Sequence, residues 1–333
     1  MYQLFENTHF VFLLAIFFIS LFALSKASDL LVDNAVKLSE LLALPELIIG
    51  VTIVSLGTTM PELSAAIVSA LQGNGDFALG NAVGSVITNS SLILGVASLF
   101  GSIPFNKSTS SKITILNIAT VLLILPSIPY KITSNLGLIP QWMGILMLLL
   151  IPIYIYYIIR QEQKSLNDEE SEASDKPKGN ILFLLLMIVL AAIVIALSAS
   201  TLVNSTEIIA ERIGIPDIII SSTLVAFGTS VPELSTCIAA AKNKHGALAI
   251  GNIIGANILN ILFVIGVSAA LSRGGVVVTD TFYFIHYPAL IIILIVLGYY
   301  AYNKKVPAIK TKGGLLLIVV YGFYLGLTLM NTF

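Results

Sequence analysis

The chain is poor in charge, in cysteine and in histidine. Only 11% of its 333 residues are Asp, Glu, Lys or Arg, against about 25% in soluble domains. That excludes an ordinary water-soluble enzyme and a disordered segment, both of which need more solvating groups. A single cysteine, Cys237, excludes an internal disulfide framework. Three histidines with no neighbouring cysteine cluster exclude a zinc site of the usual spacing. Lys and Arg number 17 and Asp and Glu 18, a net charge of -1. No global attraction to nucleic acid follows, and no nucleic-acid partner is expected. What the chain has instead is apolar surface: 57% of residues are hydrophobic and the mean hydropathy is +0.97. Each spanning helix needs about 20 apolar residues. The composition therefore describes an all-α polytopic membrane protein, with the lipid bilayer as its main partner.

Hydropathy places about ten spans near 9–28, 42–70, 77–100, 113–130, 137–159, 180–203, 215–241, 247–272, 282–302 and 314–331. The first and sixth can run on as amphipathic ends, to about Leu41 and Arg212. The opening MYQLFENTHF has no Lys or Arg and so lacks the basic start of a signal peptide; the first span is expected to stay. One segment, 160–180, is clearly polar and reads as a solvated, flexible linker. It divides the chain into an N-terminal half, 1–159, and a C-terminal half, 181–333, of five spans each. Lys107, Lys112, Arg160, Lys164, Lys176, Lys178, Lys242, Lys244, Lys304, Lys305, Lys310 and Lys312 fall in loops on one side of a ten-span chain. Only Lys131, Arg212 and Arg273 fall on the other. The positive-inside bias puts the linker in the cytoplasm and both termini outside the cell, in the plasma membrane. Trp142, Tyr154, Tyr156 and Tyr157 fit interfacial anchoring.

An internal repeat organises the rest. Residues 45–95 and 216–266 align without gaps at an offset of 171, with 21 identities in 51 positions. The matches include Gly57/Gly228, Thr58/Thr229, Pro61/Pro232, Glu62/Glu233, Asn81/Asn252, Asn89/Asn260 and Gly95/Gly266, which apolar low complexity does not supply. Because each half holds an odd number of spans, the second enters the membrane from the opposite side. Two inverted-topology repeats are a common plan of secondary transporters, whose binding site lies at the midplane between them.

The repeated residues carry a specific chemistry. Proline has no N–H and clashes with the carbonyl four residues back, so Pro61 and Pro232 break their helices beside Gly57 and Gly228. A freed carbonyl within hydrocarbon needs a partner. Thr58 and Glu62, and Thr229 and Glu233, are four apart and share a helix face. Each break thus gathers hydroxyl, carboxylate and carbonyl oxygens, hard ligands suited to Na⁺ and Ca²⁺. A transmembrane proline alone makes only a kink. An ionised glutamate at mid-span costs about 2.5–3.5 kcal/mol on insertion scales, and two in matched positions point to function. On the following spans Asn81, Ser85 and Asn89 form a stripe, with Asn252, Ala256 and Asn260 as counterparts. Asn89 and Asn260 are candidate ion ligands. Asn81 and Asn252 suit either ion contact or interhelical hydrogen bonding, and the GxxxG pairs Gly80/Gly84 and Gly251/Gly255 suit close helix packing.

At GTTMPE…GNAVGSVITN and GTSVPE…GNIIGANILN the chain resembles the cation/Ca²⁺ antiporter superfamily, in particular its prokaryotic sodium/calcium exchanger branch. The resemblance implies exchange of about three Na⁺ for one Ca²⁺ by alternating access, with spans 1 and 6 sliding against the other eight. It also implies central carboxylates at Glu62 and Glu233, and backbone carbonyls to Ca²⁺ from Thr58 and Thr229. Flanking Na⁺ sites would involve Ser55, Thr59, Ala226, Ser230 and Ser85, with Asn89 and Asn260 completing the middle. The proton/calcium branch usually has GN-x-x-E where this chain has GTT-x-P-E and GTS-x-P-E. Asn260 stands where many relatives have Asp, which argues against K⁺ dependence, and Ala256 stands where Ser is common. Other exchangers of the same fold, coupling Ca²⁺ to H⁺ or to K⁺ with Na⁺ or carrying another divalent cation, are the nearest alternatives. An intramembrane protease needs a catalytic dyad that the sequence does not offer, so no enzyme is expected. A channel would not need two matched breaks. No cofactor and no obligate protein partner are expected, Na⁺ and Ca²⁺ being substrates.

Overall fold

The structure is a computed structural model that describes residues 9–128, 137–168, 180–213, 228–303 and 305–332. The chain is mainly helical, as a bilayer requires when every backbone polar group must be satisfied internally. In chain order the elements are α1 (Phe10–Leu42), α2 (Glu46–Thr58), α3 (Met60–Leu71), α4 (Gly75–Phe100), β1 (Ile103–Pro104), α5 (Lys107–Ser127), β2 (Gly137–Ile139) and α6 (Gln141–Asp168). They continue as α7 (Ile181–Arg212), α8 (Val231–Lys242), α9 (Gly246–Leu271), β3 (Val276–Val278), α10 (Phe282–Tyr302), β4 (Ala308–Ile309) and α11 (Thr311–Thr332). Among the described residues eight helices are long and apolar enough to cross a membrane, and nine if α2 and α3, bent by 45°, form one span. The expected span at 215–241 is described only from Gly228 onward. Large apolar side chains such as Phe12, Phe18, Leu182, Phe284 and Met330 are exposed on the outer helix faces, where lipid rather than water is the natural neighbour.

Two boundaries differ from the hydropathy reading, each for a local reason. α5 begins at Lys107, ahead of its apolar stretch, because the Asn106 side chain accepts from Thr109 N at 2.8 Å and caps the helix. Lys112 therefore lies within α5 rather than in a loop; it is buried, and its amine donates to Ser108 Oγ at 2.6 Å. α6 runs on to Asp168, so the first residues of the expected linker are helical. Tyr156 and Tyr157 are exposed as interfacial anchors would be, whereas Tyr154 is buried against the α5 side of the core. A helix packed on one face cannot present three neighbouring tyrosines to the same medium.

α4 and α9 form the centre, and α1 and α7 pack against each other along their length at one side. The small residues let backbones meet. A Cβ on Gly144 of α6 would stand 2.6 Å from the Gly266 carbonyl oxygen, and one on Gly314 of α11 would stand 2.6 Å from that of Gly95. Gly95 and Gly266 are a matched pair of the repeat, and each receives a glycine from the other half of the sequence. The GxxxG pair of α9 packs on α2: Gly251 meets the Leu47 backbone and Gly255 that of Val51. Between helices, β1 pairs antiparallel with β4 and β2 with β3, in the register Ile103↔Ile309 and Leu138↔Val277.

Gly144→Leu or Gly314→Leu should lower the unfolding temperature in detergent, through overpacking that costs about 1–3 kcal/mol. Gly298→Ala, whose methyl would meet only the Tyr302 ring at 3.9 Å, should not. Equal melting of all three variants would contradict the close packing.

Candidate functional site

Both proline breaks fall one residue before the expected helix restarts, at matched positions. Thr59 has φ -82° and ψ -4°; Ser230, 171 residues on, has φ -89° and ψ 2°. Both leave ideal helical geometry just ahead of Pro61 and Pro232. The chain then re-forms a regular helix, with Leu63 N donating to Thr59 O and Leu234 N to Ser230 O, each at 3.1 Å. The consequence is positional. Glu62 sits in the first turn of α3 and Glu233 in the first turn of α8. A first turn carries unpaired N–H groups and the positive end of the helix dipole, which favour an anionic side chain there.

The two glutamates converge. Both are 0% exposed, and they lie close enough for the Glu233 charge to act on Glu62. Thr229 and Ser85 stand beside Glu62, and Thr58 stands beside Glu233. Each break thus places its threonine next to the carboxylate of the other. Among the described residues, all four carboxylate oxygens are buried without a hydrogen bond of good geometry. Thr59 Oγ1, Asn89 Oδ1 and Asn260 Oδ1 are likewise buried without a partner. Buried polar atoms normally find partners, and oxygens left without one could receive a cation.

The flanking amides hold the frame. Thr58 Oγ1 donates to Asn252 Oδ1 at 3.2 Å, and Thr229 Oγ1 donates to Asn81 Oδ1 at the same 3.2 Å. Each bond ties a broken helix to the central helix of the other half of the sequence. Asn252 also donates through Nδ2 to Thr236 Oγ1 at 2.9 Å, so both ends of its amide bridge helices. Ser230 Oγ donates to Ser85 Oγ at 3.3 Å. Ser55 Oγ donates to the Val51 carbonyl at 2.7 Å and keeps its lone pairs to accept, while its backbone carbonyl accepts from Thr59 N at 3.0 Å. The candidate Ala226 lies outside the described residues. The other candidates, Ser55, Thr58, Thr59, Glu62, Asn81, Ser85, Asn89, Thr229, Ser230, Glu233, Asn252 and Asn260, lie on α2, α3, α4, α8 and α9 or at the two breaks.

Two features escape sequence reasoning. Asn89 and Asn260 each begin a π-helical turn, Asn89–Ile93 and Asn260–Ile265. Such turns widen a helix by one residue and recur at functional sites, yet nothing in the local composition announces them. The second feature is Asn257, buried on α9, which bonds to Asn89 and Ser90. The repeat alignment pairs it with Val86, and so hides it from any search for matched residues.

A family model described as sodium/calcium exchanger protein matches residues 12–160 and 183–330. The chain belongs to that family. Within it, the inner membrane protein YrbG of Escherichia coli is 30% identical over 266 residues, 78% of this chain and 80% of its own length. The sodium/calcium exchanger MaX1 of Methanosarcina acetivorans is 27% identical over 290 residues, 76% of this chain and 81% of its own. A solved structure of the sodium-calcium exchanger NCX_Mj, soaked with Na⁺ and Sr²⁺, superposes with a TM-score of 0.79. It covers 96% of this chain and 99% of its own at 23% identity, a likeness of fold.

Asn252→Ala should lower the detergent unfolding temperature, since it leaves Thr58 and Thr236 without their amide and costs about 1–3 kcal/mol. An unchanged melting curve would show that the amide does not hold the two helices.

Proposed function

We propose that the protein is an antiporter that exchanges Na⁺ for Ca²⁺ by alternating access. The observation that carries this reading is the pair of fully buried, unpartnered carboxylates, Glu62 and Glu233, brought together from two matched helix breaks. Oxygen ligands of this kind suit hard cations. Two ionised glutamates carry -2, which one Ca²⁺ neutralises and three Na⁺ overcompensate to +1. Either load lowers the cost of moving buried carboxylates across the membrane, and an unloaded site does not. The two ions therefore compete for the same oxygens, and the bare carrier seldom crosses. With three Na⁺ for one Ca²⁺, each cycle moves one net charge, worth about 2.3 kcal/mol per 100 mV.

The central Ca²⁺ position would take Glu62 and Glu233, the carbonyls of Thr58 and Thr229, and the amide oxygens of Asn89 and Asn260. Flanking Na⁺ positions would draw on Thr59, Ser55, Ser85, Ser230 and Ala226; the unpartnered Thr59 hydroxyl and the adjacent Ser85 and Ser230 support that division. Asn81 and Asn252, tied to Thr229 and Thr58, would shape the site from behind. Asn260 in place of a carboxylate favours Na⁺ coupling without K⁺. Nothing in this reading calls for a catalytic dyad, a resident cofactor or a protein partner.

The arrangement also supports ten spans in two inverted halves; the positive-inside bias is what favours a cytoplasmic linker and both termini outside the plasma membrane. β2 lies after the fourth span and β3 after the eighth, and they pair. Ten spans put four crossings between them, an even number that leaves both on one side. The same holds for β1 and β4 across six spans. Shifting β2 (137–139) by 171 gives 308–310, which overlaps β4. The same shift takes β1 (103–104) to 274–275, next to but not overlapping β3, so the two sheets come close to exchanging roles. α1 and α7, packed together beside the core, would be the sliding pair.

Glu62→Gln or Glu233→Gln should abolish Na⁺-driven ⁴⁵Ca²⁺ flux in proteoliposomes; normal flux in either would reject the assignment. Flux should also fall as the pH is lowered, because protonated glutamates lose their attraction for cations. A flat profile into acid would contradict it. Asn260→Asp should shift that pH profile or the preference among Na⁺, K⁺ and H⁺ gradients, and an unchanged response would make the position structural only.

A further inference from the structure

We infer that Asn257, a residue with no counterpart in the other repeat, is a positioning residue that aims the carbonyl oxygen of Asn89 at the Ca²⁺ site; the inference rests on the antiport reading. An asparagine beside a cation has two unlike ends. Its oxygen attracts the ion and its NH₂ repels it, and the two differ only by a flip of the amide. Asn89 is fully buried. Its Nδ2 donates to Asn257 Oδ1 at 3.2 Å, while its own Oδ1 has no protein partner. Asn257 in turn donates through Nδ2 to Ser90 Oγ at 2.7 Å, so turning both amides together would require the Ser90 hydroxyl to turn and donate. The bonds run one way: Asn89 to Asn257, then Asn257 to Ser90. Flipping Asn89 alone would set its oxygen against the Asn257 oxygen. Flipping Asn257 would set its NH₂ against that of Asn89. The chain closes through the π-helical turn Asn89–Ile93, which holds Asn89 and Ser90 side by side.

The other half has no such device. Position 86, opposite 257 in the repeat, is a buried valine, which can neither donate nor accept. Both amide atoms of Asn260 are buried without a protein partner. The two matched asparagines are therefore unequal. Asn89 is held as an oxygen donor before any ion arrives, and Asn260 takes its orientation from the ion.

The test measures apparent Ca²⁺ affinity twice, by flux in proteoliposomes and by Ca²⁺-dependent thermal stabilisation in detergent. Asn257→Val should weaken the affinity about tenfold or more, the usual cost of losing a group that orients a ligand, with the maximal flux little changed. Ser90→Ala, a smaller truncation that leaves the fold intact, should shift it the same way by a smaller factor. On an Asn89→Ala background neither change should add anything, because the residue they act through is gone. Full additivity with Asn89→Ala would overturn the inference, as would wild-type affinity in both Asn257→Val and Ser90→Ala. Loss of maximal flux at unchanged affinity would also overturn it. Wild-type protein that responds to Ca²⁺ in neither assay would overturn the antiport reading together with the inference resting on it.

Discussion

Two carboxylates with no solvent and no protein partner are the constraint around which the molecule is built. A charge held within hydrocarbon is stabilised only by pairing or by coordination. Among the described residues neither Lys nor Arg stands beside Glu62 or Glu233, whose side-chain neighbours are Thr229, Ser85 and Thr58. A fixed cation would have settled their charge permanently and left nothing for a mobile ion. Neutral oxygen ligands leave the charge to be met by whatever cation arrives. The helix breaks serve the same end. By placing each glutamate in a first turn, they give it a favourable helix terminus that would still leave its oxygens to a cation.

Doubling the motif explains much of the remaining architecture. Each broken helix is tied through its threonine to the central helix of the other half, Thr58 to Asn252 and Thr229 to Asn81, at equal distances. Gly95 and Gly266 each receive a glycine from the far end of the opposite half. The two small sheets likewise join loops of different halves. A site assembled from both halves is held together by contacts between them, so neither half alone would present it. The departures from symmetry are then the informative ones. Val86 against Asn257 makes the two central asparagines unlike, and Asn260 offers an amide.

Much of this was legible in the sequence because the signals are covalent or periodic. Apolar runs gave the spans, proline gave the breaks, and the 171-residue offset singled out Glu62, Glu233 and their threonines. What was hidden depends on three-dimensional neighbours. The π-helical turns at Asn89 and Asn260 change one hydrogen-bond register without changing composition. The short strands Ile103–Pro104 and Gly137–Ile139 exist only because a distant loop lies alongside. Ser55 was singled out by position, but its hydroxyl bonds to its own helix. The sequence leaves Asn252 between ion contact and packing, and its bonds to Thr58 and Thr236 depend on the tertiary fold. Asn257 was invisible because matching repeats discards whatever is unmatched.

The central claim is that one cation is shared by two acidic side chains from opposite halves. The most direct measurement is an anomalous difference map from crystals grown with calcium, recorded where calcium scatters anomalously. The expected result is a dominant peak between the Glu62 and Glu233 carboxylates, about 2.3–2.6 Å from their oxygens. Carboxylates turned away from each other, or a calcium peak elsewhere with none between them, would contradict it.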